Sequence, residues 1–281
     1  MIDSICICGA GTMGSGIAQV AAQSGCPTIL FDLDETMLLK AKNHIGQNTQ
    51  TLVERNKMTA GERTQVLSLL HFTNDIHECV AGIVIEAIVE KIEPKSTLFR
   101  QLATINSPET IFASNTSSLS ITTLAENSSR PENVIGMHFF NPAPVMKLVE
   151  VVNTRYTLHS NTEKIIALAK KMGKIPVSCQ DAPGFIVNHV ARPYYLEALR
   201  LLELGIASIE TIDLLMEASG FKMGPFKLMD LIGNDINYAV TCSVYEGMQQ
   251  TARLKPSSIQ RLKVEQGALG KKTGQGYYPY T

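Results

Sequence analysis

The stretch Ser4-Ile5-Cys6-Ile7-Cys8-Gly9-Ala10-Gly11-Thr12-Met13-Gly14, near the start of this 281-residue chain, is the strongest indication of its fold class. The apolar run at 4–8 is typical of a buried β-strand, and it leads directly into a G-x-G-x-x-G loop. The segment 15–23 then predicts a helix, and 27–31 predicts a second strand that ends on Asp32. A glycine loop between strand and helix, with an acid ending the next strand, is typical of a dinucleotide-binding βαβ unit.

The individual residues of this unit favour NAD over NADP. Gly9 allows a tight turn, Gly11 lets a pyrophosphate approach the backbone, and Gly14 lets helix and strand pack closely. The carboxylate of Asp32 can accept hydrogen bonds from both ribose hydroxyls and would repel a 2′-phosphate, and no arginine follows among the next three residues. A glycine-rich turn in an ordinary α/β protein is the alternative interpretation. The predicted cofactor contacts in the loop are Gly9, Ala10, Gly11, Thr12, Met13 and Gly14.

The composition of the chain argues against several classes of protein. A net charge of −1 gives no electrostatic case for nucleic-acid binding, and no apolar run is long enough to span a membrane. The chain enters its first strand almost at once, which predicts no signal peptide and a cytoplasmic location. Six cysteines without a paired C-x-x-C pattern predict buried thiols in a reducing compartment and no metal site.

The rest of the first two thirds of the chain alternates between strand and helix patterns. Such alternation predicts an α/β fold of Rossmann type, with a doubly wound, mostly parallel sheet. The predicted strands are 83–85, 110–114, 134–140, 147–152 and 174–179, and the predicted helices are 35–55, 60–70, a helix from Pro94 to about 105, and 163–172.

After Asp181-Ala182-Pro183-Gly184 only helical patterns occur, over 186–204, 208–218, 225–249 and 257–265. The sequence therefore predicts two domains. Residues 1–187 are predicted to form the NAD-binding Rossmann-type domain, and residues 188–281 an all-α C-terminal domain for substrate binding and dimerisation.

Polar residues follow several predicted strands, at the edge where open α/β sheets bind ligands. Glu90, Ser117 and His138 occupy such positions. The hydroxyl of Ser117 could donate to a substrate oxygen, although a turn or helix cap is the better local interpretation. Asn188, near the predicted domain junction, could close over a substrate or cap a helix, and the local pattern favours the cap.

Two acids interrupt apolar runs. Glu150 lies within Leu148–Val152 and is predicted to be buried, where a carboxylate needs a partner. If the two strands are neighbours, His138 is its natural partner, and such a pair suits a general base that removes a proton from an alcohol. A histidine with a purely structural role is an equal alternative. Asp230 is predicted to be buried in the helical domain with a structural role.

Taken together, several stretches resemble the short-chain L-3-hydroxyacyl-CoA dehydrogenase family. The resemblance extends over nearly the whole chain, and its most specific block is 138–150, His-Phe-Phe-Asn-Pro-Ala-Pro-Val-Met-Lys-Leu-Val-Glu. The other matching stretches are Gly9–Gly14, Glu86-Ala87-Ile88-Val89-Glu90, Phe112–Ser118, Asp181–Asn188, Met223-Gly224-Pro225-Phe226 and Gly270–Tyr278.

The resemblance implies NAD-dependent, reversible oxidation of a 3-hydroxyacyl-CoA, as in fatty-acid β-oxidation, by a homodimer that associates through its helical domain. It places a catalytic base at His138, oriented by Glu150, and substrate hydrogen bonds at Ser117 and Asn188. It implies coenzyme A contacts at Asn48 and Arg55, where the local sequence departs from the family pattern. Beyond the glycine loop, the implied NAD contacts are Asp32, Glu90, Lys95, Ser117, Asn141 and Lys272.

Two alternatives stay open from the sequence. One is a related two-domain dehydrogenase, similar to λ-crystallin, that acts on a free hydroxy or sugar acid. The other is a non-catalytic, crystallin-like protein that binds NAD on the same scaffold. The combination of Ser117, His138, Glu150 and Asn188 argues against the second alternative.

Overall fold

The computed structural model describes residues 4–280, and the chain divides into two compact units. Residues up to Asp181 form the first unit, and residues from Ala182 onward form the second. The predicted domain boundary, between 187 and 188, falls near the start of the second unit and stays a prediction.

An eight-stranded sheet forms the centre of the first unit, in the order β3-β2-β1-β4-β5-β6-β7-β8. Its strands are β1 (Ile5–Cys8), β2 (Thr28–Phe31), β3 (Leu70–Thr73), β4 (Ile83–Glu86), β5 (Ile111–Ser114), β6 (Val134–Phe139), β7 (Leu148–Asn153) and β8 (Ile175–Gln180). Neighbouring strands are parallel except β6 and β7, which are antiparallel. The predicted mostly parallel, doubly wound sheet is confirmed.

Helices cover both faces of this sheet, which is why its central strands are apolar on both sides. On one face, Ile17 of the first helix and Ile45 of the second join the sheet in a single buried cluster. On the other face, the ring of Phe99 packs 5.5 Å from that of Phe112 in β5. The helices are α1 (Thr12–Gln23), α2 (Glu35–Glu54), α3 (Ala60–Ser68), α4 (Ile92–Ile105), α5 (Ile121–Glu126) and α6 (His159–Lys171).

The second unit is helical, with its own buried cluster around Phe226 and Leu199. The prediction of one helix over 225–249 is wrong, because two helices occupy this segment. Gly233 separates them with φ of +104°, a conformation that cannot continue a right-handed helix and that suits glycine. The helices are α7 (Val187–Glu203), α8 (Ile209–Ala218), α9 (Pro225–Ile232), α10 (Asn234–Gly247) and α11 (Ser258–Glu265).

Strand β3 and helix α5 of the first unit have no counterpart among the sequence predictions. Strand β3 has four residues, of which only Thr73 is buried, so it lacks the pattern of a buried strand. Helix α5 has only six residues, too few for a helical period to stand out. Among residues 4–280, no helix combines the length and the apolar character needed to cross a membrane.

The cysteines are free thiols, and four of them, Cys6, Cys8, Cys26 and Cys79, are buried. The prediction of burial is wrong for Cys179 and Cys242, which are half-buried. In the part of the chain that the structure describes, no three His, Cys, Asp or Glu side chains are grouped so that they could hold a metal ion.

Candidate active site

The glycine loop joins β1 to α1 through very close backbone contacts. Gly9 has φ of +106°, and a Cβ atom added there would lie 2.5 Å from the carbonyl oxygen of Ala87. A Cβ atom on Gly14 would lie 1.7 Å from the carbonyl oxygen of Gly9. Larger residues at these two positions would force β1, α1 and the segment after β4 apart. Both glycines are therefore needed to close the loop, as the sequence predicts.

Gly11, between them, has the opposite environment. A Cβ atom added there would meet nothing within 4 Å, and Gly11 caps α1 without a side-chain hydrogen bond. The first N–H groups of a helix lack intrahelical partners and attract anions. The loop thus combines open space with backbone donors, which fits the pyrophosphate of a dinucleotide.

Asp32 lies beside this loop, directly after β2. Its Oδ2 accepts a hydrogen bond from the backbone N–H of Ala10 at 2.7 Å, and its Oδ1 accepts one from that of Asp34 at 3.0 Å. A carboxylate offers about four lone-pair positions, so this one keeps acceptor capacity for ribose hydroxyls. Its fixed position supports the predicted preference for NAD.

His138 and Glu150 form a buried pair on neighbouring strands. The antiparallel register of β6 and β7 places them directly opposite one another, and opposite residues point to the same face. Nδ1 of His138 lies 2.7 Å from Oε2 of Glu150, and the residues are 5% and 1% exposed. Since the carboxylate accepts from Nδ1–H, Nε2 is the basic nitrogen of the neutral ring. The predicted contact between these two strands is confirmed.

The loop that follows β5 carries Ser117 and is fixed by side chains on both sides. Oε1 of Glu90 accepts hydrogen bonds from the hydroxyl of Thr116 at 2.5 Å and from the backbone N–H of Ser117 at 3.0 Å. Oδ1 of Asn115 accepts one from the N–H of Phe139, at the end of β6, at 2.8 Å. Strands β5 and β6 are neighbours, so the Ser117 loop and the end of the His138 strand lie at one edge of the sheet.

Lys95 connects this loop to a residue that sequence analysis missed, Glu86. Its Nζ lies 2.5 Å from Oε1 of Glu86 and 3.2 Å from Oε2 of Glu90, and its side chain is 1% exposed. Burial raises the pKa of the fully buried Glu86 carboxyl. Burial opposes ionisation of Glu90 as well, but the Lys95 ammonium and the donors of Thr116 and Ser117 lower its pKa overall. A charged residue that ends the apolar run Ile83–Ile85, with a lysine in the next helix, is the sequence signal for this pair.

Asn141 lies just after β6, in an exposed segment. The segment that follows it is held by Lys174, whose buried ammonium donates to the carbonyl oxygens of Ala143 at 2.5 Å and Met146 at 2.9 Å. Packing of Ala143 and Pro144 against Gly16 also places this segment beside α1.

The two predicted coenzyme A contacts both belong to α2. Nδ2 of Asn48 donates to Oε1 of Gln19 at 3.2 Å, and Arg55 is an exposed residue at the C-terminal end of the helix.

The remaining two predicted residues belong to the second unit. Asn188 lies in the first turn of α7, where its carbonyl oxygen accepts a hydrogen bond from Nε of Arg192 at 3.0 Å. Nζ of Lys272 is paired with the carboxylate of Asp235 at 2.6 Å. The structure thus brings His138, Glu150, Ser117, Glu90 and Lys95 to one edge of the sheet. It describes Asn188 and Lys272 within the helical unit.

The sequence matches two family models in succession. Residues 4–182 match the 3-hydroxyacyl-CoA dehydrogenase NAD binding domain, and residues 184–280 match the 3-hydroxyacyl-CoA dehydrogenase C-terminal domain. The first match identifies the glycine loop and Asp32 as parts of an NAD-binding domain.

Similar proteins include dehydrogenases of bacteria and mammals. The 3-hydroxyadipyl-CoA dehydrogenase of Escherichia coli (strain K12) is 47% identical over 281 residues, which cover 99% of this chain and 59% of that protein. The mitochondrial hydroxyacyl-coenzyme A dehydrogenase of Sus scrofa is 41% identical over 288 residues, which cover 100% of this chain and 92% of the relative.

A solved structure of a similar protein also matches this chain over its whole length. The crystal structure of 3-hydroxybutyryl-CoA dehydrogenase from Escherichia coli K12 superposes with a TM-score of 0.97 at 46% sequence identity. The match covers 100% of this chain and 60% of that one, so the chain spans about three fifths of the length of these E. coli relatives. Two consecutive family domains and this degree of identity lead to one conclusion: the chain belongs to the 3-hydroxyacyl-CoA dehydrogenase family.

Proposed function

We propose that this protein oxidises a 3-hydroxyacyl-CoA to the corresponding 3-oxoacyl-CoA, reversibly, with NAD as the hydride acceptor. The observation that carries the proposal is the buried His138–Glu150 pair, 2.7 Å apart, at the edge of the sheet of an NAD-binding domain. Relatives named for 3-hydroxyadipyl-CoA and 3-hydroxybutyryl-CoA support a coenzyme A thioester as the substrate class.

His138 is the proposed general base. Because Glu150 accepts from Nδ1–H, Nε2 can take the proton of the C3 hydroxyl as hydride leaves C3 for the nicotinamide. The imidazolium that forms is stabilised by the adjacent carboxylate. General bases of this kind contribute roughly 10²–10⁴-fold to the rate, and correct positioning of the reactants supplies much of the rest.

Ser117 and Asn188 are the proposed hydrogen-bond donors to the hydroxyl and thioester oxygens of the substrate. Support for Ser117 comes from its fixed backbone beside the end of β6. Support for Asn188 comes from the family resemblance, as does support for coenzyme A contacts at Asn48 and Arg55. The exposure of Arg55 at the end of α2 suits contact with a phosphate.

The proposed NAD contacts beyond the glycine loop differ in the part of NAD they are proposed to bind and in whether they contact it directly. Asp32 receives the ribose hydroxyls, and Glu90, Ser117 and Asn141 are proposed near the nicotinamide half. The buried ammonium of Lys95 is bonded to two carboxylates, so its contribution passes through Glu90. For Lys272, contact with NAD competes with its ion pair to Asp235.

A homodimer that forms through the helical unit, in the cytoplasm, is part of the same proposal. Several large apolar side chains of this unit are exposed, and exposed apolar surface commonly marks an interface. They include Val190, Leu204, Ile206, Leu214 and Leu215. Analytical ultracentrifugation tests the dimer, and Leu214→Glu should shift the protein toward monomer.

The first test is oxidation of NADH by the purified protein with acetoacetyl-CoA, run beside NADPH and beside free acetoacetate. We expect turnover when NADH is combined with acetoacetyl-CoA, and no turnover with NADPH or with free acetoacetate. Turnover with a free hydroxy acid would favour the λ-crystallin-like alternative. Saturable NADH binding without turnover of the thioester would favour the non-catalytic alternative and contradict the proposed role of the His138–Glu150 pair.

A further inference from the structure

Among residues 4–181, Glu86 is the most buried acid, and its two side-chain oxygens accept three hydrogen bonds. Its side chain has no exposed surface. Oε1 accepts from Nζ of Lys95 at 2.5 Å and from the backbone N–H of Ile88 at 2.7 Å, and Oε2 accepts from the hydroxyl of Ser114 at 2.7 Å. This carboxylate therefore connects β4, β5 and α4 at the edge of the sheet where the candidate active site lies.

Backbone N–H groups of the loop 115–119 donate to Glu86, to Ser114, to Glu90 and to Thr116, and the first three of these are connected by the bonds of Glu86 and Lys95. The N–H of Asn115 donates to the carbonyl oxygen of Glu86, and the N–H of Thr116 donates to the hydroxyl oxygen of Ser114. The N–H of Ser117 donates to Glu90, which Lys95 also contacts. The N–H groups of Ser118 and Leu119 donate to Oγ1 of Thr116, whose hydroxyl donates to Glu90.

We propose that Glu86 is a positioning residue for this loop: by fixing Ser114 and Lys95, and through Lys95 the carboxylate of Glu90, it sets the place of Ser117. This inference rests on the proposed role of Ser117 in substrate binding. Glu86 itself is fully buried and acts only through these neighbours.

The arrangement requires a carboxylate at position 86. Glutamine has almost the same shape, but it offers one acceptor oxygen instead of two, and its amide group donates. It cannot accept from Ile88, Lys95 and Ser114 together, and it leaves the buried ammonium of Lys95 with one carboxylate partner. Glu86→Gln should therefore replace an ionic partner of Lys95 with a neutral one and reverse the hydrogen bond to Ser114, with the amide group donating to the hydroxyl oxygen, and so loosen the loop.

Amide hydrogen exchange of the full-length protein measures the loop directly, without reference to activity. In Glu86→Gln we expect the amides of 116–119 to exchange faster, by roughly 3- to 100-fold, the range of couplings between contacting residues. Asp213→Asn is the matched control, because Asp213 is equally buried and also accepts three hydrogen bonds, from Phe226, Lys227 and Tyr278 in the second unit. The control should leave exchange at 116–119 at the wild-type rate.

A double-mutant cycle connects the loop to turnover. If Glu86 acts through Ser117, the loss in kcat/KM of Glu86→Gln combined with Ser117→Ala will be smaller than the product of the two single losses. Asp213→Asn combined with Ser117→Ala should give the product of its single losses.

The outcomes separate this inference from the proposed function. Wild-type exchange at 116–119 in Glu86→Gln, or losses that simply multiply, would overturn the role of Glu86. An unaffected kcat/KM in Ser117→Ala would overturn the proposed role of Ser117 instead, and the exchange rates would still decide about Glu86. Should Glu86→Gln fail to fold, Glu86→Asp keeps the charge but is one methylene shorter and cannot keep all three bonds, so faster exchange at 116–119 is again expected and wild-type exchange there would overturn the role of Glu86.

Discussion

Two buried acids, Glu150 in the first unit and Asp230 in the second, interrupt apolar runs in the same way but have different kinds of partner. Each residue is 1% exposed. Oε2 of Glu150 lies 2.7 Å from Nδ1 of His138, an imidazole ring whose second nitrogen, Nε2, is a potential proton acceptor. The carboxylate of Asp230 accepts from neutral donors, the N–H groups of Tyr277 and Tyr278 and the hydroxyl of Tyr280.

Burial of an acid therefore does not by itself indicate catalysis. Around Asp230 the packing is so close that a Cβ atom on Gly276 would lie 2.0 Å from its Oδ1. These bonds fasten the C-terminal tail onto α9, which is a structural role. Around Glu150 the partner is an imidazole ring at the edge of the sheet, where ligands bind. Both acids show the same sequence signal, an acid within an apolar run. The hydrogen-bond partner distinguishes the proposed catalytic role of Glu150 from the structural role of Asp230.

The largest expected effect that tests this comparison is that of His138→Ala. Turnover should fall by roughly 10²–10⁴-fold, because the general base is lost, while NADH binding measured by fluorescence titration stays near that of the wild type. His159→Ala is the control and should keep wild-type turnover, since His159 also faces a glutamate, Glu163, but its side chain is 87% exposed. Loss of NADH binding together with turnover would mean that His138 is structural.

Glu150→Gln should lower kcat by roughly 10- to 100-fold, the equivalent of one hydrogen bond to a charged group. The glutamine can still hold Nδ1–H, but it lacks the charge that stabilises the imidazolium. Steady-state kinetics with acetoacetyl-CoA and NADH provide the measurement. Unchanged kcat in a correctly folded variant would indicate that Glu150, like Asp230, has only a structural role.

Asp230→Asn should leave kcat per folded molecule unchanged and lower the stability of the protein. An asparagine offers only one acceptor oxygen, so buried donors of the tail lose their partner, at a cost of about 1–3 kcal/mol. Urea unfolding followed by circular dichroism gives the shift of the transition. A fall in kcat as large as that expected for Glu150→Gln would contradict a purely structural role for Asp230.

Gly11→Ala should have the smallest effect. Neither close packing nor acid–base chemistry requires a glycine at this position, so the variant tests the proposed contact with NAD. Its methyl group meets nothing within 4 Å, so the variant should unfold like the wild type. The methyl group crowds the proposed pyrophosphate position, and the Kd for NADH should rise on the order of tenfold, or about 1.4 kcal/mol. Gly14→Ala, whose Cβ atom would lie 1.7 Å from the carbonyl oxygen of Gly9, should instead impair folding. An unchanged Kd for NADH in Gly11→Ala would contradict the assigned contact.

Sequence patterns succeeded where a long segment repeats one period or a motif requires particular residues. Helix α2 was predicted at 35–55 and is observed at Glu35–Glu54, and the loop at 9–14 joins β1 to α1. They failed where a single backbone angle decides, as at Gly233, which divides α9 from α10. They also failed where an element is too short to show a period, as in β3 and α5.

Local sequence patterns were enough to predict the βαβ unit, the alternation of strands and helices, the change to helices after Asp181, and the burial of Glu150 and Asp230. These features follow from local propensity, hydrophobic period and the special conformations of glycine. The antiparallel register that sets His138 opposite Glu150 and the cluster of Glu86, Lys95 and Glu90 beneath the Ser117 loop are visible only in the three-dimensional structure. Strand order and register depend on packing between segments far apart in the chain, which no local pattern encodes.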